Sequence, residues 1–427
     1  IAATEMGMES VPVYVMEISD PLEIEEVLIL SNEQRSRTME QRMREGKRLK
    51  EIEGIRAKER FGGHHKDNST PEKKPELKEG DSRDIAAGKI GMSGKTLEKG
   101  ITILQVMDAV KIDDPEKAVE IRDTLNRSVN KAAAMVKPII EEKKKMFEDS
   151  KFEIEEMKDG LFIQRSKNPN YKPSFNPTNE NIEWAKWSWN PVTGCRFGCQ
   201  YCYARAMAEN EYYGETFITK FNPTFHPGRL SAPKNNSIPA SRKDEIGIRN
   251  VFLCSMADLW GDWIPSEWIL QILSVVEQNP EYNFIALTKN PKRYLEFEFP
   301  ENIWLGCTAD TQSRFDNALD VFKEMSPGSN NECSNIKFLS CEPLNEHIGY
   351  HPYEHIWNDG SGDDEYNQGY VDWVIIGGLK GSENSDKQPQ WEWVETLIDF
   401  ARKSNASVYF KTNLTVTPKE LPVFKNI

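Results

Sequence analysis

From residue 185 onward, short apolar runs alternate with amphipathic stretches, and this alternation constrains the fold more than any other feature. The runs are WSWNPVTGC (187–195), NVFLCSM (250–256), NFIALTK (283–289), IWLGCTA (303–309), IKFLSCE (336–342), WVIIGG (373–378) and SVYFK (407–411). They are apolar throughout rather than on alternate residues, which signifies strands buried on both faces. Between them lie helix-like stretches at 266–280, 314–325 and 390–404. Strands interleaved with helices predict a parallel sheet, as a β/α barrel or an open α/β sheet, and six or seven units suit a partial barrel. The expected fold class is therefore α/β, a partial β/α barrel preceded by an all-α domain.

The grammar before residue 185 differs. VPVYVM (11–16) reads as a β-branched strand and 20–35 as a helix with an apolar stripe. Residues 33–60 place Met39, Met43, Leu49, Ile52 and Ile55 at helical spacing within a highly charged stretch. Gly, Pro and polar residues then predict a flexible loop over 61–81. Two short helices joined at Ile90-Gly91-Met92-Ser93 follow: Gly91 ends the first, Ser93 caps the second, and Ala86, Ala87, Ile90, Leu97 and Ile101 form their shared core. This is a helix-turn-helix over 82–135. Its second helix offers Lys95, Thr96 and Lys99 outward, side chains suited to a major groove or to phosphates. The same hairpin also suits protein contact or dimerisation. A Lys/Glu-rich stretch to about 160 reads as a connecting helix, and the Pro/Asn-rich 166–184 as a linker, so 136–184 joins the helical region to a domain at 185–427.

Composition narrows the setting. No apolar run approaches the roughly 20 residues of a membrane helix, and no secretory signal opens the chain, so a cytoplasmic protein without membrane contact is expected. The chain starts at Ile1 in mid-pattern, so an upstream part of the natural protein is expected. The net charge of -14 argues against a uniformly basic nucleic-acid binder. Residues 31–111 nonetheless carry 19 Lys and Arg against 14 Asp and Glu, so this segment is the one suited to a phosphate backbone.

Three of the seven cysteines fall in GCRFGCQYCYARA (194–206), spaced Cys195-x3-Cys199-x2-Cys202. An odd count in a large chain fits reduced thiols at a metal or cluster site better than a disulfide framework. Structural zinc requires four ligands, and the nearest candidate for a fourth, His226, lies well downstream. Three thiolates on a [4Fe-4S] cube leave one iron open to a substrate or cofactor. Asp258, Thr288, Lys289, Asp310, Glu342 and Lys411 each follow an apolar run, and in a barrel such positions converge on the mouth. Each could equally be a salt bridge or cap. Cys254, Cys307 and Cys341 lie inside apolar runs and read as small hydrophobes. His347, His351 and His355 recur every four residues, but Gly349 and Pro352 break the helix that would align them, and 358–369 reads as a surface insertion.

The cysteine motif, with Tyr201 just before its last member, resembles the signature of radical S-adenosylmethionine (SAM) enzymes, whose fold is a partial β/α barrel. The wider frame WNPVTGCRFGCQYCYAR, FIALTKNPKR, IWLGCTAD, FLSCEPL, WVIIGGLKG and VYFKTN resembles phage-type three-cysteine-motif proteins over about 181–427. The opening is also similar to spore photoproduct lyase and its relatives, which act on DNA. The resemblance implies a [4Fe-4S] cluster on Cys195, Cys199 and Cys202, with SAM chelating the fourth iron and cleaved to a 5′-deoxyadenosyl radical. It implies Tyr201 near the adenine, and Asp258, Thr288, Glu342, Gly377 and Gly378 as cofactor contacts. An electron donor protein is implied as a partner. Residues 7–53 and the helix-turn-helix resemble ParB-like proteins, with 1–60 as the end of the N-terminal domain and its connecting helices. Together these readings anticipate a radical SAM enzyme acting on DNA, in modification or repair. A DNA-binding regulator with a redox-sensing cluster, and a radical SAM enzyme with a protein or small-molecule substrate, are the alternatives.

Overall fold

The computed structural model describes residues 18–31, 36–62, 80–178, 182–238, 240–326, 333–349, 370–378 and 388–414. It divides into two compact units, Ile1–Met146 and Phe147–Ile427. The strand expected at 11–16 and the insertion at 358–369 lie outside the described residues, as do His351 and His355. No helix among the described residues is long and apolar enough to cross a membrane.

The first unit is helical: α1 (Pro21–Ser31), α2 (Met39–Gly62), α3 (Gly80–Lys89), α4 (Gly94–Asp113), α5 (Pro115–Arg127) and α6 (Val129–Asp149), the last running past the unit boundary. The loop expected at 61–81 is shortened by helix at both ends, and 63–79 lie outside the described residues. Between α3 and α4 the chain turns at Gly91, where φ is +66°. Ser93 Oγ then accepts the N–H of Thr96 at 3.2 Å and caps α4. Met43, Leu49, Ala86, Ala87, Ile90, Leu97 and Ile101 share one buried core, whereas Ile55 faces solvent at 39 % exposure. Asp114 caps α5 by accepting Lys117 N–H at 2.8 Å, with Pro115 at the first helical position, where its missing N–H costs nothing. The nearly buried Glu53 accepts from Lys89 Nζ at 2.7 Å and from Arg56 Nη1 at 3.2 Å, tying α2 to α3.

The second unit begins earlier than the composition of 166–184 implies. Helix α6 stops at Asp149, and the stretch read as its continuation is an antiparallel hairpin, β1 (Phe152–Glu156) on β2 (Phe162–Ser166). The described residues of 166–184 are not a loose linker: they include β3 (Asn176–Pro177), and Phe175 and Trp184 are 4 % and 5 % exposed. Burial of two large aromatic rings outweighs the Pro/Asn bias of the segment.

The run 187–195 splits at Asn190-Pro191 into β4 (Trp187–Trp189) and β5 (Val192–Thr193), because proline lacks the N–H that a continuing ladder needs. Strand β5 joins β6 (Thr224–Phe225) in a sheet ordered β1-β2-β6-β5. The larger sheet contains β7 (Asn250–Leu253), β8 (Asn283–Thr288), β9 (Ile303–Thr308), β10 (Lys337–Cys341), β11 (Trp373–Ile376) and β12 (Ser407–Phe410), ordered β12-β11-β10-β9-β8-β7-β4-β3. From β4 to β12 every pairing is parallel and follows chain order; only β3 runs antiparallel. Helices α7 (Tyr203–Glu209), α8 (Ser266–Glu277), α9 (Gln312–Glu324) and α10 (Trp391–Lys403) complete the unit. Along β8 and β9, alternate residues (Phe284, Ala286; Ile303, Leu305, Cys307) pack in one core with Ile272, Phe315 and Leu397 of α8, α9 and α10. The intervening residues Ile285 and Trp304 join Phe338, Trp373, Tyr409 and the preceding Trp184 in a second, aromatic cluster. The unit is thus a parallel α/β sheet buried on both faces.

Candidate functional site

The cysteine loop leaves β5 through Gly194, whose φ is +86° and whose N–H donates to Met256 O at 2.8 Å. Cys195 N–H then donates to Phe221 O at 3.3 Å. A second left-handed residue, Gly198 at φ +67°, reverses the chain, and Cys202 closes the loop by donating its N–H to Cys199 O at 3.2 Å. Cys202 also starts α7, its Sγ accepting the N–H of Arg205 at 3.4 Å. Arg205 in turn donates from its guanidinium to Cys195 O at 3.2 Å, pairs with Glu209 at 2.9 Å, and lies over the Phe221 ring at 4.9 Å. One arginine therefore clasps both ends of the loop. Arg196 donates to the carbonyl of Asp159 in the β1–β2 turn, so the loop is also held from the hairpin.

All three cysteines are free and half-buried. Burial pushes the Cys195 thiol up to about 11, against the opposing effect of the Phe197 N–H, and Asp258, Cys199 and Cys202 lie near enough to add to the rise. Among the described residues no group of three or more His, Cys, Asp or Glu side chains stands ready as a metal cage. Cluster assembly here would therefore both deprotonate the thiols and draw them inward, since a bound metal favours thiolate. In other respects the residues fit such a group. Two backbone N–H groups already point at the sulfurs of Cys195 and Cys202, the type of bond that stabilises ligating thiolate. The buried Trp263 Nε1 has no acceptor, and its ring packs edge-on against Phe197 within the loop at 5.0 Å. His226 does not supply a fourth ligand: it is buried, bonds Thr193 Oγ1 at 2.9 Å, and is held neutral, its pKa driven well below the ordinary value by burial and the Arg229 charge. His347 bonds Thr396 at 3.2 Å. Cys254, Cys307 and Cys341 are packed in the strand core with thiols raised by burial.

Polar side chains from the carboxyl ends of successive strands face this loop. Tyr201 donates its hydroxyl to Asp310 Oδ2, and Arg314 pairs with the other oxygen of Asp310. Burial and the Asp310 contact raise the Tyr201 pKa, and the charge of Cys199 reaches both Tyr201 and Arg314. Lys289 Nζ lies 5.7 Å from the Tyr201 ring centroid and donates to Thr308 Oγ1 at 3.3 Å. Asp258 accepts from Thr288 Oγ1 at 2.7 Å, from Lys289 N–H at 2.8 Å and from Trp260 N–H at 3.2 Å. With both oxygens engaged, Asp258 is a brace between β7 and β8; burial raises its pKa against those bonds.

Across the sheet, Glu342 pairs with Lys411, and Gly377 lies against both: a Cβ there would come within 3.0 Å of Glu342 Cγ and 3.1 Å of Lys411 Cδ. Gly378 exchanges two hydrogen bonds with the Asn413 side chain, at 3.3 and 2.7 Å. Burial raises the Glu342 pKa and Lys411 opposes it. Tyr203 feels both Cys202 and Glu342 and so links this pair to the loop. The structure thus brings Tyr201, Asp258 and Thr288 to the cysteine loop, and Glu342 with Gly377 is linked to it through Tyr203. Lys95, Thr96 and Lys99 belong to the helical unit: Lys95 is exposed, Thr96 bonds Ser93 Oγ at 2.8 Å, and Lys99 donates to Asn130 Oδ1 at 3.1 Å. Thr308, Arg314, Tyr203 and Arg205 escaped the sequence reading; for Thr308 the position at the end of an apolar run was an available signal.

A family described as a protein of unknown function, DUF5131, matches residues 179–421. The chain belongs to the DUF5131 family. No curated protein and no solved structure matches the chain. The DUF5131 span contains the cysteine loop and every strand from β4 to β12, whereas the helical unit and the β1–β2 hairpin precede it.

Proposed function

We propose that this chain is a radical SAM enzyme whose second unit is a partial β/α barrel and whose substrate is DNA. The observation that carries the reading is a loop of three thiols, one short of a closed metal site, above the carboxyl ends of seven parallel strands in chain order. Active sites of parallel β/α folds occupy that end. Curvature of the sheet is supported by Trp184, whose ring lies 4.8 Å from Phe252 of β7, 6.5 Å from Phe338 of β10 and 6.3 Å from Trp373 of β11. On a flat sheet β7 and β11 stand about 19 Å apart, four strand spacings. A concave inner face brings both rings to one indole.

Cys195, Cys199 and Cys202 would hold a [4Fe-4S] cluster, with Arg205 and the Phe197 and Arg205 N–H groups fixing the loop. When bound, the cluster with SAM supplies a 5′-deoxyadenosyl radical by one-electron cleavage of the sulfonium. Glu342, with one carboxylate edge beyond Lys411, suits the ammonium of SAM, and Gly377 leaves room for the methionine beside it. Tyr201, oriented by Asp310, would border the adenine, while Asp258 and Thr288 keep the β7 and β8 ends in place. An external electron donor is required. The DNA assignment rests on the helix-turn-helix with exposed Lys95 and Lys99 in the same chain. The test is anaerobic reconstitution of the full chain with iron and sulfide, followed by dithionite and SAM. 5′-Deoxyadenosine above a Cys202→Ala control is expected; its absence, or zinc bound by four side chains, rejects the reading.

A further inference from the structure

Three basic side chains around the cysteine loop are paired with carboxylates, and Arg196 is bonded to the Asp159 carbonyl. Lys411 is on Glu342, Arg314 on Asp310 and Arg205 on Glu209. Lys289 is half-buried, and its ammonium has a hydroxyl, Thr308 Oγ1 at 3.3 Å, and the face of Tyr201 as its partners. Among the described residues no carboxylate lies within ion-pair distance of it. The nearby acids are already engaged: Asp310 by Tyr201 and Arg314, Asp258 by Thr288 and the N–H groups of Trp260 and Lys289. Asp258 acts on this ammonium through space but not in contact; holding an ammonium partly out of water with no carboxylate bonded to it is unfavourable, and an anion arriving from solution lowers that cost. The residue is well fixed to receive one, because its own N–H is bonded to Asp258.

We propose that Lys289, with Thr308 beside it, is the docking point for a substrate phosphate, distinct from the place taken by the methionine end of SAM. The separation follows from topology. Lys289 follows β8 and Glu342 follows β10, and β9 lies between them, about 9–10 Å of sheet. The ammonium and carboxylate of SAM are one carbon apart and cannot reach from Glu342 to Lys289. This proposal deepens the DNA reading and depends on it for the source of the phosphate, which could be a phosphodiester or a free nucleotide.

The test uses full-length protein without added iron, so that it does not depend on cluster assembly. Lysine acetylation is followed by peptide mass spectrometry with a single-stranded DNA oligonucleotide, with deoxyadenosine 5′-monophosphate, or with SAM. Slower labelling of Lys289 with oligonucleotide alone assigns a phosphodiester; slower labelling with the monophosphate as well assigns a phosphate of either source. Unchanged labelling with both, or protection by SAM alone, overturns the proposal. As a second readout, Lys289→Gln is expected to weaken binding of the protecting phosphate probe roughly tenfold, with Lys289→Arg restoring most of it. Equal affinity in Lys289→Gln and the unsubstituted protein overturns the proposal even where labelling is slow.

Discussion

Gly194 and Gly198 both sit at positive φ in the cysteine loop, but for different reasons, and substituting each by alanine separates them. At either position an L side chain in the left-handed region costs about 1–2 kcal/mol. At Gly198 nothing lies within 4 Å of an added Cβ, so that conformational cost is the whole effect. At Gly194 the Cβ would sit 2.2 Å from Asn222 O and 2.7 Å from Pro223 N, backbone atoms that cannot rotate away. Relief requires the loop to move off the 221–223 segment by about 1 Å, stretching Cys195 N–H to Phe221 O or Gly194 N–H to Met256 O; overpacking of this kind adds about 1–3 kcal/mol. Gly194→Ala should therefore destabilise the protein by about 2–5 kcal/mol, and Gly198→Ala by about 1–2 kcal/mol, read from urea midpoints at constant slope. Gly198→Asn should recover part of its loss, since asparagine tolerates the left-handed region, whereas Gly194→Asn should not. Equal midpoints for the two alanine variants would refute the steric account of Gly194.

Arg196→Ala releases the bond to the Asp159 carbonyl, so iodoacetamide should alkylate Cys199 several-fold faster than in the unsubstituted protein, and an unchanged rate would show that the hairpin turn does not restrain the loop. Burial raises the Asp258 pKa above its ordinary 3.8; the stability it contributes is therefore full below that value and is lost as pH rises through the folded pKa. Asp258→Asn should reduce the fall in urea midpoint between pH 4 and 7, leaving the part due to Glu342, which burial also raises, and a slope equal to the unsubstituted protein's would assign the dependence elsewhere. Lys95→Ala/Lys99→Ala should weaken duplex DNA binding and reduce the slope of log affinity against log salt by about 2, one counterion per lost charge; an unchanged slope would remove these lysines from any DNA contact.

What was legible in the sequence follows the range of the interaction that decides it. The seven parallel strands each announce themselves as a mainly apolar run without alternation, because burial on both faces leaves few polar positions. The turn at Gly91 and the cap at Ser93 are decided within four residues, and both were readable. The β1–β2 hairpin was not: FEIEE and FIQRS are short and polar on one side, and the Lys/Glu composition of the preceding helix runs straight into them. Trp184 looked like the end of a linker, since nothing local tells an aromatic ring in a Pro/Asn-rich stretch that it will lie among Phe252, Phe338 and Trp373.

The same distinction governs the site. Three cysteines within eight residues are visible in any reading, yet what surrounds them depends on residues that meet only through strand order: Tyr201 and Asp310 are 109 positions apart, Glu342 and Lys411 are 69. A polar residue at the end of one apolar run has no informative local pattern, and its partner is set by the order in which the sheet brings the strand ends together. Convergence of charged side chains is thus a product of parallel topology, which places every strand's carboxyl end on one rim. Such a rim brings opposite charges within reach of one another, Glu342 and Lys411 across the intervening β11, and Asp310 and Arg314 at the start of α9. At Lys289 the neighbouring strand end supplies the hydroxyl of Thr308, where Arg314 and Lys411 meet the carboxylates of Asp310 and Glu342.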